Sequence, residues 1–111
     1  MTERMTVEKA LQLVQRSEDG LYGVLLEHGT MQLGYYKPLG SDEQEPHEQD
    51  EIYIVQSGTG TFVLGGERID YAPGDALFVP AGKEHRFVDF SDDFAAWVVF
   101  YGPPGGEAPS A

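Results

Sequence analysis

Two residues in the stretch EPHEQDEIYIVQSGTG have the types and the spacing of metal ligands, namely His47 and Glu51. Side chains two or four residues apart on an extended chain lie on one face, so Glu45, His47 and Glu51 point the same way. Tyr53 and Val55 continue that face, which places the Glu51 carboxylate in the wall of the core. A buried carboxylate is costly unless it is paired or coordinated, and a divalent cation would compensate it. The alternative is a solvated histidine in a loop crowded with acids.

A second histidine lies in the stretch GDALFVPAGKEHRFVD, where His85 opens a predicted strand that carries Phe87 and Asp89 on the same face. Two imidazoles and one carboxylate leave coordination positions for water or a ligand, and this set suits Fe(II), Mn(II), Ni(II) or Zn(II). The chain has no cysteine, so a thiolate site and a disulfide framework are excluded. The third histidine, His28, follows an acidic residue at a turn and is interpreted as structural.

These residues must be positioned by β-structure, because only one segment has helical periodicity. Within residues 6–20 the apolar positions recur at i, i+3, i+4 and i+7, with Thr6 as the predicted N-cap and Gly20 just past the end. Short β-branched and aromatic runs bounded by Gly, Pro and acidic turns follow, which indicates an all-β sandwich or barrel. The predicted strands lie near Leu21–Glu27, Met31–Lys37, Glu51–Gln56, Thr61–Leu64, Arg68–Tyr71, Ala76–Val79, His85–Phe90 and Phe94–Tyr101.

Length and composition restrict the domain count and the partners. The 111 residues suffice for one domain, which we divide into an N-terminal helical segment (1–20), a β-domain (21–101) and a flexible C-terminal tail (102–111). Nineteen acids against seven bases give a net charge of −12, which disfavours nucleic acid and anionic membrane as partners. Neither a signal-peptide core nor an apolar run of about 18 residues is present, so a cytoplasmic protein is expected.

The two stretches together resemble the motifs of the cupin superfamily, in particular its small single-domain members. The first cupin motif is a Gly, His-x-His, three or four residues, a Glu, six residues and a Gly, and here His47, Glu51 and Gly58 fit it. The second motif is a Gly, five residues, Pro-x-Gly, two residues, a His, three residues and an Asn. It is matched at every spacing by Gly74, Pro80, Gly82 and His85, with Asp89 in the Asn place.

The resemblance covers roughly residues 30–101 and implies a double-stranded β-helix, the jelly-roll barrel of cupins, with one divalent metal in its mouth. It implies His47, Glu51 and His85 as ligands. The sequence departs from the motif where the first histidine is expected, because Glu45 stands there. Glu45 is therefore a candidate fourth ligand or, off the metal, a general base, while Gln44 or water are the other candidates for the fourth position.

The predicted ligand is a small neutral or weakly charged molecule. Arg86 has the opposite strand parity to His85, so the pocket is expected to be poor in fixed positive charge. Tyr53 is a candidate hydrogen-bond donor, and we expect Tyr53 and Phe87 to line the cavity with Trp97 behind them. Isomerase, lyase and oxygenase chemistry all remain open for such a metal site. The alternatives are a non-enzymatic module that binds or senses a small molecule or metal, and a barrel without metal that serves in assembly.

A homodimer is also expected. The resemblance implies it, because cupins are commonly homodimers. Two apolar pairs, Ile52/Ile54 and Val98/Phe100, would form exposed sheet faces that need a partner if the opposite parity lines the core.

Overall fold

A computed structural model describes residues 4–108, in which one helix and eight strands are formed. The helix α1 spans Val7–Arg16. The strands are β1 Tyr22–His28, β2 Met31–Tyr36, β3 Asp50–Ser57, β4 Gly60–Leu64, β5 Glu67–Tyr71, β6 Ala76–Val79, β7 His85–Val88 and β8 Ala95–Tyr101. Each predicted strand corresponds to one of these, with bounds that differ by at most two residues. The all-β prediction with one short N-terminal helix is therefore confirmed.

Helix α1 begins where the sequence predicts and ends earlier. The Thr6 side chain accepts a hydrogen bond from the Lys9 amide at 3.1 Å, as an N-cap does. The helix ends at Arg16 because Ser17 is extended and its hydroxyl donates to the Val14 carbonyl oxygen at 2.6 Å. Gly20 lies in the connection that follows. Among residues 4–108 no helix has the length and apolar character needed to cross a membrane.

The strands form two antiparallel sheets that pack face to face as a jelly roll. The five-stranded sheet has the order β1-β2-β8-β3-β6 and the three-stranded sheet has the order β5-β4-β7. Aromatic side chains from both sheets meet between them, as in the edge-to-face contacts of Tyr53 with Phe62 and Phe87, at ring-centroid distances of 5.9 and 4.9 Å. Strand β3 lies in one sheet and β7 in the other, so the two predicted metal-binding motifs face each other across the core.

The outer face of the five-stranded sheet is only partly covered. Helix α1 packs Ala10 and Val14 against Tyr35 on this face. Beyond the helix an apolar patch remains, with Phe78 50% exposed and Ile54 36% exposed. This outer patch consists of Leu33, Ile52, Ile54, Phe78, Trp97 and Val99.

Ile52 and Ile54 point outward, as predicted. The predicted outward orientation of Val98 and Phe100 is wrong. Val98 pairs with Tyr53 in the sheet, and both side chains are buried in the core. Phe100 packs against the same core. Strand parity alone does not show which face of a strand is covered. The pairing of β8 with β3 places the side chains of Val98 and Phe100 on the core side of the sheet.

The first part of the C-terminal tail contacts the loop that precedes β3. The Gly105 amide donates to the Glu48 carbonyl oxygen at 2.7 Å, and the Glu107 amide donates to Asp50 Oδ2 at 2.8 Å. The predicted flexibility of residues 102–111 stays a prediction, and residues 109–111 lie outside the described part of the chain. The segment up to Glu107 has packing partners that the sequence did not indicate.

Candidate metal centre

Three ligand atoms meet at one end of the barrel, on His47, Glu51 and His85. Glu51 Oε1 lies 2.9 Å from His85 Nε2 and 3.9 Å from His47 Nε2. One potential ligand atom from each of the three residues lies within 4.8 Å of the other two, the arrangement that a single metal ion requires. The structure therefore brings together the two candidate ligands of the first cupin-like motif and the one of the second.

Backbone contacts hold the two motif loops together. The Gly82 amide donates to the His47 carbonyl oxygen at 2.7 Å, which joins the loop before β3 to the turn before β7. Gly82 has φ +78°, a conformation that favours glycine, so the motif glycine is explained by this turn. Next to Glu51, the Asp50 carboxylate accepts from the Ala81 amide at 2.9 Å and ties the same two segments.

The Glu51 carboxylate is buried, and no well-formed hydrogen bond from the described residues offsets its loss of hydration. Its side chain is 0% exposed, and neither oxygen accepts a well-formed hydrogen bond from any residue within 4–108. Its Oε1 has two imidazoles nearby, with His85 Nε2 at 2.9 Å and His47 Nε2 at 3.9 Å. A carboxylate in such a position is expensive unless a cation is present, so this observation fits a metal ion bound at Glu51.

The tautomer of His85 leads to the same conclusion. Its Nδ1 lies 3.0 Å from the Lys83 carbonyl oxygen, which only accepts hydrogen bonds, so Nδ1 carries the proton. In the neutral ring Nε2 then presents a lone pair toward Glu51 Oε1 at 2.9 Å. Two acceptor atoms at this distance need a cation between them, either a proton or a metal. An Nδ1–H bonded to a backbone carbonyl is also the usual orientation of metal-binding histidines.

The pKa values of the two histidines shift in opposite directions. Burial lowers the pKa of His47, with His85 adding to the effect and Glu51 opposing it. Burial also acts to lower the pKa of His85, but the Glu51 carboxylate and the Lys83 carbonyl outweigh it and raise this pKa. Because metal ligands must be deprotonated, a metal at His85 would have to displace the proton that Glu51 stabilises.

A polar chain adjoins the three ligands through Gln44 and Tyr53. Gln44 Oε1 lies 3.2 Å from His47 Nε2 and accepts from the Tyr53 hydroxyl at 3.0 Å. The same hydroxyl lies 3.2 Å from His85 Nε2. Burial, followed by the charge of Glu51, raises the pKa of Tyr53 well above its ordinary value, so the hydroxyl stays protonated. In this structure the Tyr53 hydroxyl donates to Gln44, and its predicted role as a donor to a bound ligand stays a prediction.

The buried Asp42 was missed by the sequence analysis. It is 2% exposed, and its Oδ2 accepts from Gln44 Nε2 and from the Phe87 amide, both at 2.8 Å. Its Oδ1 accepts from the Tyr36 hydroxyl at 2.7 Å. The loop sequence SDEQEPHEQDE contains six acids, of which Asp42, Asp50 and Glu51 are buried, and no local pattern marks Asp42 as one of them.

A cavity of about 300 Å³ opens beside His47, which is the one of the three ligand residues in its lining. It is lined by Asp19, Tyr22, Tyr36, Gln44, His47, Tyr53, Val98 and Phe100. None of these residues is Lys or Arg, and Arg86 is exposed on the outside, so the expected lack of fixed positive charge is observed. Tyr53 lines the cavity as expected. Phe87 lies deeper in the core, and Trp97 faces the outer side of the sheet against Tyr35.

Other predicted positions lie away from the site. Glu45 is exposed and does not belong to the group of three ligands, so neither of its predicted roles gains support from the structure. Asp89 is exposed at a positive-φ position (+52°) and lies 3.6 Å from Arg68. His28 is exposed at the end of β1, which agrees with its interpretation as a residue outside the site.

A family comparison matches residues 33–101 to the cupin domain family Cupin_2. The matched segment is more than half of the chain and runs from β2 to the end of β8. It contains all three ligand residues and both loops that carry them.

The chain is also similar to one curated protein in sequence and to solved structures in fold. The chain is 38% identical over 95 residues to the uncharacterized protein SCO3923 of Streptomyces coelicolor, covering 84% of this chain and 90% of that protein. A Cupin 2 conserved barrel domain protein from Salinispora arenicola superposes with a TM-score of 0.68 at 23% identity, covering 92% and 89% of the two chains. A crystal structure of the DMSP lyases RdDddP and RnDddQII gives 0.63 at 22% identity, covering 75% of this chain and 47% of that one.

Proposed function

The chain belongs to the Cupin_2 family of cupin domains, and from this premise we propose that it holds one divalent transition metal at His47, Glu51 and His85. The candidate ions are Fe(II), Mn(II), Ni(II) and Zn(II), which accept imidazole nitrogen and carboxylate oxygen together. The observation that carries the proposal is the buried Glu51 carboxylate, whose Oε1 faces His85 Nε2 at 2.9 Å and whose two oxygens have no well-formed hydrogen bond among the described residues.

The ligand of this site is a small neutral or weakly charged molecule that enters the cavity of about 300 Å³. The cavity wall is mainly aromatic and carries no cationic side chain, and Asp19 adds a negative charge at its edge. A strongly anionic ligand would find no compensating charge there except the metal. Tyr53, with its raised pKa, holds a proton at Oη that can be donated to a ligand oxygen.

A bound divalent metal would supply Lewis-acid polarisation of a ligand oxygen or a bound water of lowered pKa. Isomerase, lyase and oxygenase activities are all compatible with that role, and a lyase is represented among the proteins of similar fold. A second candidate is a non-enzymatic module that binds a small molecule or a metal. The exposure of Glu45 favours it, because the predicted general base then lies outside the cavity.

Metal analysis of protein purified without added metal, followed by thermal unfolding with Fe(II), Mn(II), Ni(II), Co(II) or Zn(II), tests the proposal. We expect close to one equivalent of metal, or stabilisation by about 2.7 kcal/mol at a hundredfold excess over Kd. His85→Ala and Glu51→Gln should abolish both, whereas His28→Ala, which alters the exposed histidine, should change neither. Metal below about 0.1 equivalent together with no thermal shift for any of the ions would refute the proposal.

We also propose that two copies of the chain associate through the outer patch. This patch is apolar, helix α1 leaves it uncovered, and it is continuous over β2, β8, β3 and β6. An isologous dimer across this face would remove Ile54 and Phe78 from water. The cytoplasmic location and the lack of nucleic-acid and membrane partners stay predictions from composition and charge.

A further inference from the structure

The position at which the cupin-like motif expects a further histidine is filled by a side chain that reaches in from one residue earlier. We propose that Gln44 Oε1 is the fourth protein ligand of the metal site and that Asp42 is the positioning residue that aims it. This inference rests on the proposed function, since it presupposes a metal at His47, Glu51 and His85.

The orientation of the Gln44 amide follows from its partner. Asp42 Oδ2 is an acceptor, since the Phe87 amide donates to it, and it lies 2.8 Å from one end of the Gln44 amide. That end must therefore be the donor Nε2. The opposite end, the carbonyl oxygen Oε1, faces His47 Nε2 at 3.2 Å. An amide oxygen is a metal ligand, whereas the amide nitrogen is not, so this orientation decides the chemistry of the position.

The distances around Oε1 fit a shared metal. Two ligands about 2.1 Å from one ion and at right angles to each other lie about 3 Å apart. Gln44 Oε1 lies 3.2 Å from His47 Nε2, and Glu51 Oε1 lies 2.9 Å from His85 Nε2. Both ligand pairs thus have the separation expected of neighbours in one coordination sphere. A neutral carbonyl oxygen in place of an imidazole makes the donor set harder and favours Mn(II) over softer ions.

Asp42 is held by groups from both sheets. Its carboxylate accepts from the Phe87 amide of β7, from the Tyr36 hydroxyl of β2 and, at 3.2 Å, from the Gln44 amide in its own loop. These contacts leave the buried Asp42 side chain little freedom, and through it they fix the Gln44 side chain. A second sphere that orients a ligand in this way commonly changes metal affinity by about 10- to 100-fold when it is removed.

The first experiment compares Gln44→Leu with Glu45→Leu, an equal replacement at the adjacent exposed residue. Metal-free protein is titrated with Mn(II) by calorimetry and with Co(II) by visible absorption, which reports the ligands around the ion. We expect Gln44→Leu to weaken binding at least about tenfold and to change the Co(II) spectrum. Glu45→Leu should match the wild type in both.

Two different failures can be separated. If the wild type binds metal, His85→Ala does not, and Gln44→Leu matches the wild type in affinity and Co(II) spectrum, Gln44 is not a ligand and the proposed function stands. If the folded wild type binds none of Fe(II), Mn(II), Ni(II), Co(II) and Zn(II), the proposed function and this inference are both refuted. If it binds one of the others instead of Mn(II) and Co(II), the Gln44→Leu and Glu45→Leu comparison is made by calorimetry with that ion, with the same two outcomes.

The second experiment tests the positioning role of Asp42 with a double-mutant cycle. Asp42→Asn should weaken Mn(II) binding in the wild type but have little further effect in the Gln44→Leu background, because Asp42 acts through Gln44. Equal losses in both backgrounds would show a general structural effect and would refute the positioning role. Circular dichroism establishes that each variant is folded, and the Gln44→Leu comparison does not depend on the folding of Asp42→Asn.

Discussion

At the scale of single residues, the site is defined by acceptor atoms that face one another without a donor between them. Glu51 Oε1 and the lone pair on His85 Nε2 are 2.9 Å apart, and the other Glu51 oxygen is buried without a partner among the described residues. Native proteins rarely leave buried polar atoms in this state. The arrangement is costly for a cation-free protein and favourable for a protein that binds a metal there.

Two buried tyrosines provide a test of the polar chain beside the ligands. The Tyr53 hydroxyl bonds to Gln44, whereas the Tyr71 hydroxyl is buried with no hydrogen-bond partner within residues 4–108. We expect Tyr53→Phe to lower the free energy of unfolding of the metal-free protein by about 1 kcal/mol. Tyr71→Phe should leave it unchanged or raise it, because that substitution removes an unsatisfied group.

Urea denaturation of both variants measures these differences. The two substitutions delete the same atom from rings in the same core, so their comparison isolates the hydrogen bond. A Tyr53→Phe variant as stable as Tyr71→Phe would contradict the proposed importance of the polar chain.

At the scale of the elements, the site depends on turns that hold β3 and β7 in register. Gly58, which ends the first motif, has φ +83°, and a Cβ added there would lie 2.5 Å from the Phe94 Cα. The turn after β3 therefore packs directly against the backbone before β8, and only glycine fits. The spacing of the first motif follows from this contact, because Gly58 fixes where β3 ends relative to Glu51.

Substitution of Gly58 should lower the free energy of unfolding by more than its backbone conformation alone implies. Gly40 has a similar φ of +73°, but a Cβ added there meets nothing within 4 Å. We expect Gly40→Ala to lower the free energy of unfolding by about 1–2 kcal/mol through backbone strain. Gly58→Ala should lower it by at least about 1 kcal/mol more, because the Phe94 backbone must also move. Thermal unfolding of both variants checks the prediction, and equal losses would show that the close approach is unimportant.

At the scale of the whole molecule, the two sheets enclose an aromatic core and leave one apolar face in contact with solvent. Within the outer patch, the Phe78 side chain on β6 is 50% exposed. Patches of this kind on small proteins commonly mark interaction surfaces. The sheet that carries the patch also carries Glu51, so association would take place on the opposite side of β3 from the site.

Sedimentation velocity at micromolar concentration tests the homodimer. We expect a dimer for the wild type and a monomer for Phe78→Glu, because an unpaired charge within a buried interface is costly. Ile69→Glu is the control, since Ile69 is also exposed (39%) but lies on β5 in the other sheet. A monomeric wild type would contradict the dimer, and a Phe78→Glu variant that stays dimeric would contradict the outer patch as its interface.

Much of the fold was accessible from local sequence patterns. The capping Thr6, the eight strands and the turns between them depend on interactions between near neighbours, which the residue types record directly. The grouping of His47, Glu51 and His85 was predicted because their spacing matches two motifs, and the structure brings the three together. Glu45 shows the limit of this reasoning, since the residue at the expected motif position is exposed and its neighbour Gln44 points inward.

The sequence by itself thus determined the class of fold, the order of the elements and three of the residues at the site, because periodicity, turn chemistry and motif spacing are local properties. Only the tertiary structure decided which strand faces are covered, which loop side chains enter the site and how the amide of Gln44 is oriented. Val98 was turned inward by the pairing of β8 with β3, and Gln44 by Asp42, which is anchored to the Phe87 amide 45 residues away. Contacts over such separations depend on how the sheets pack, and no local pattern in the chain records them.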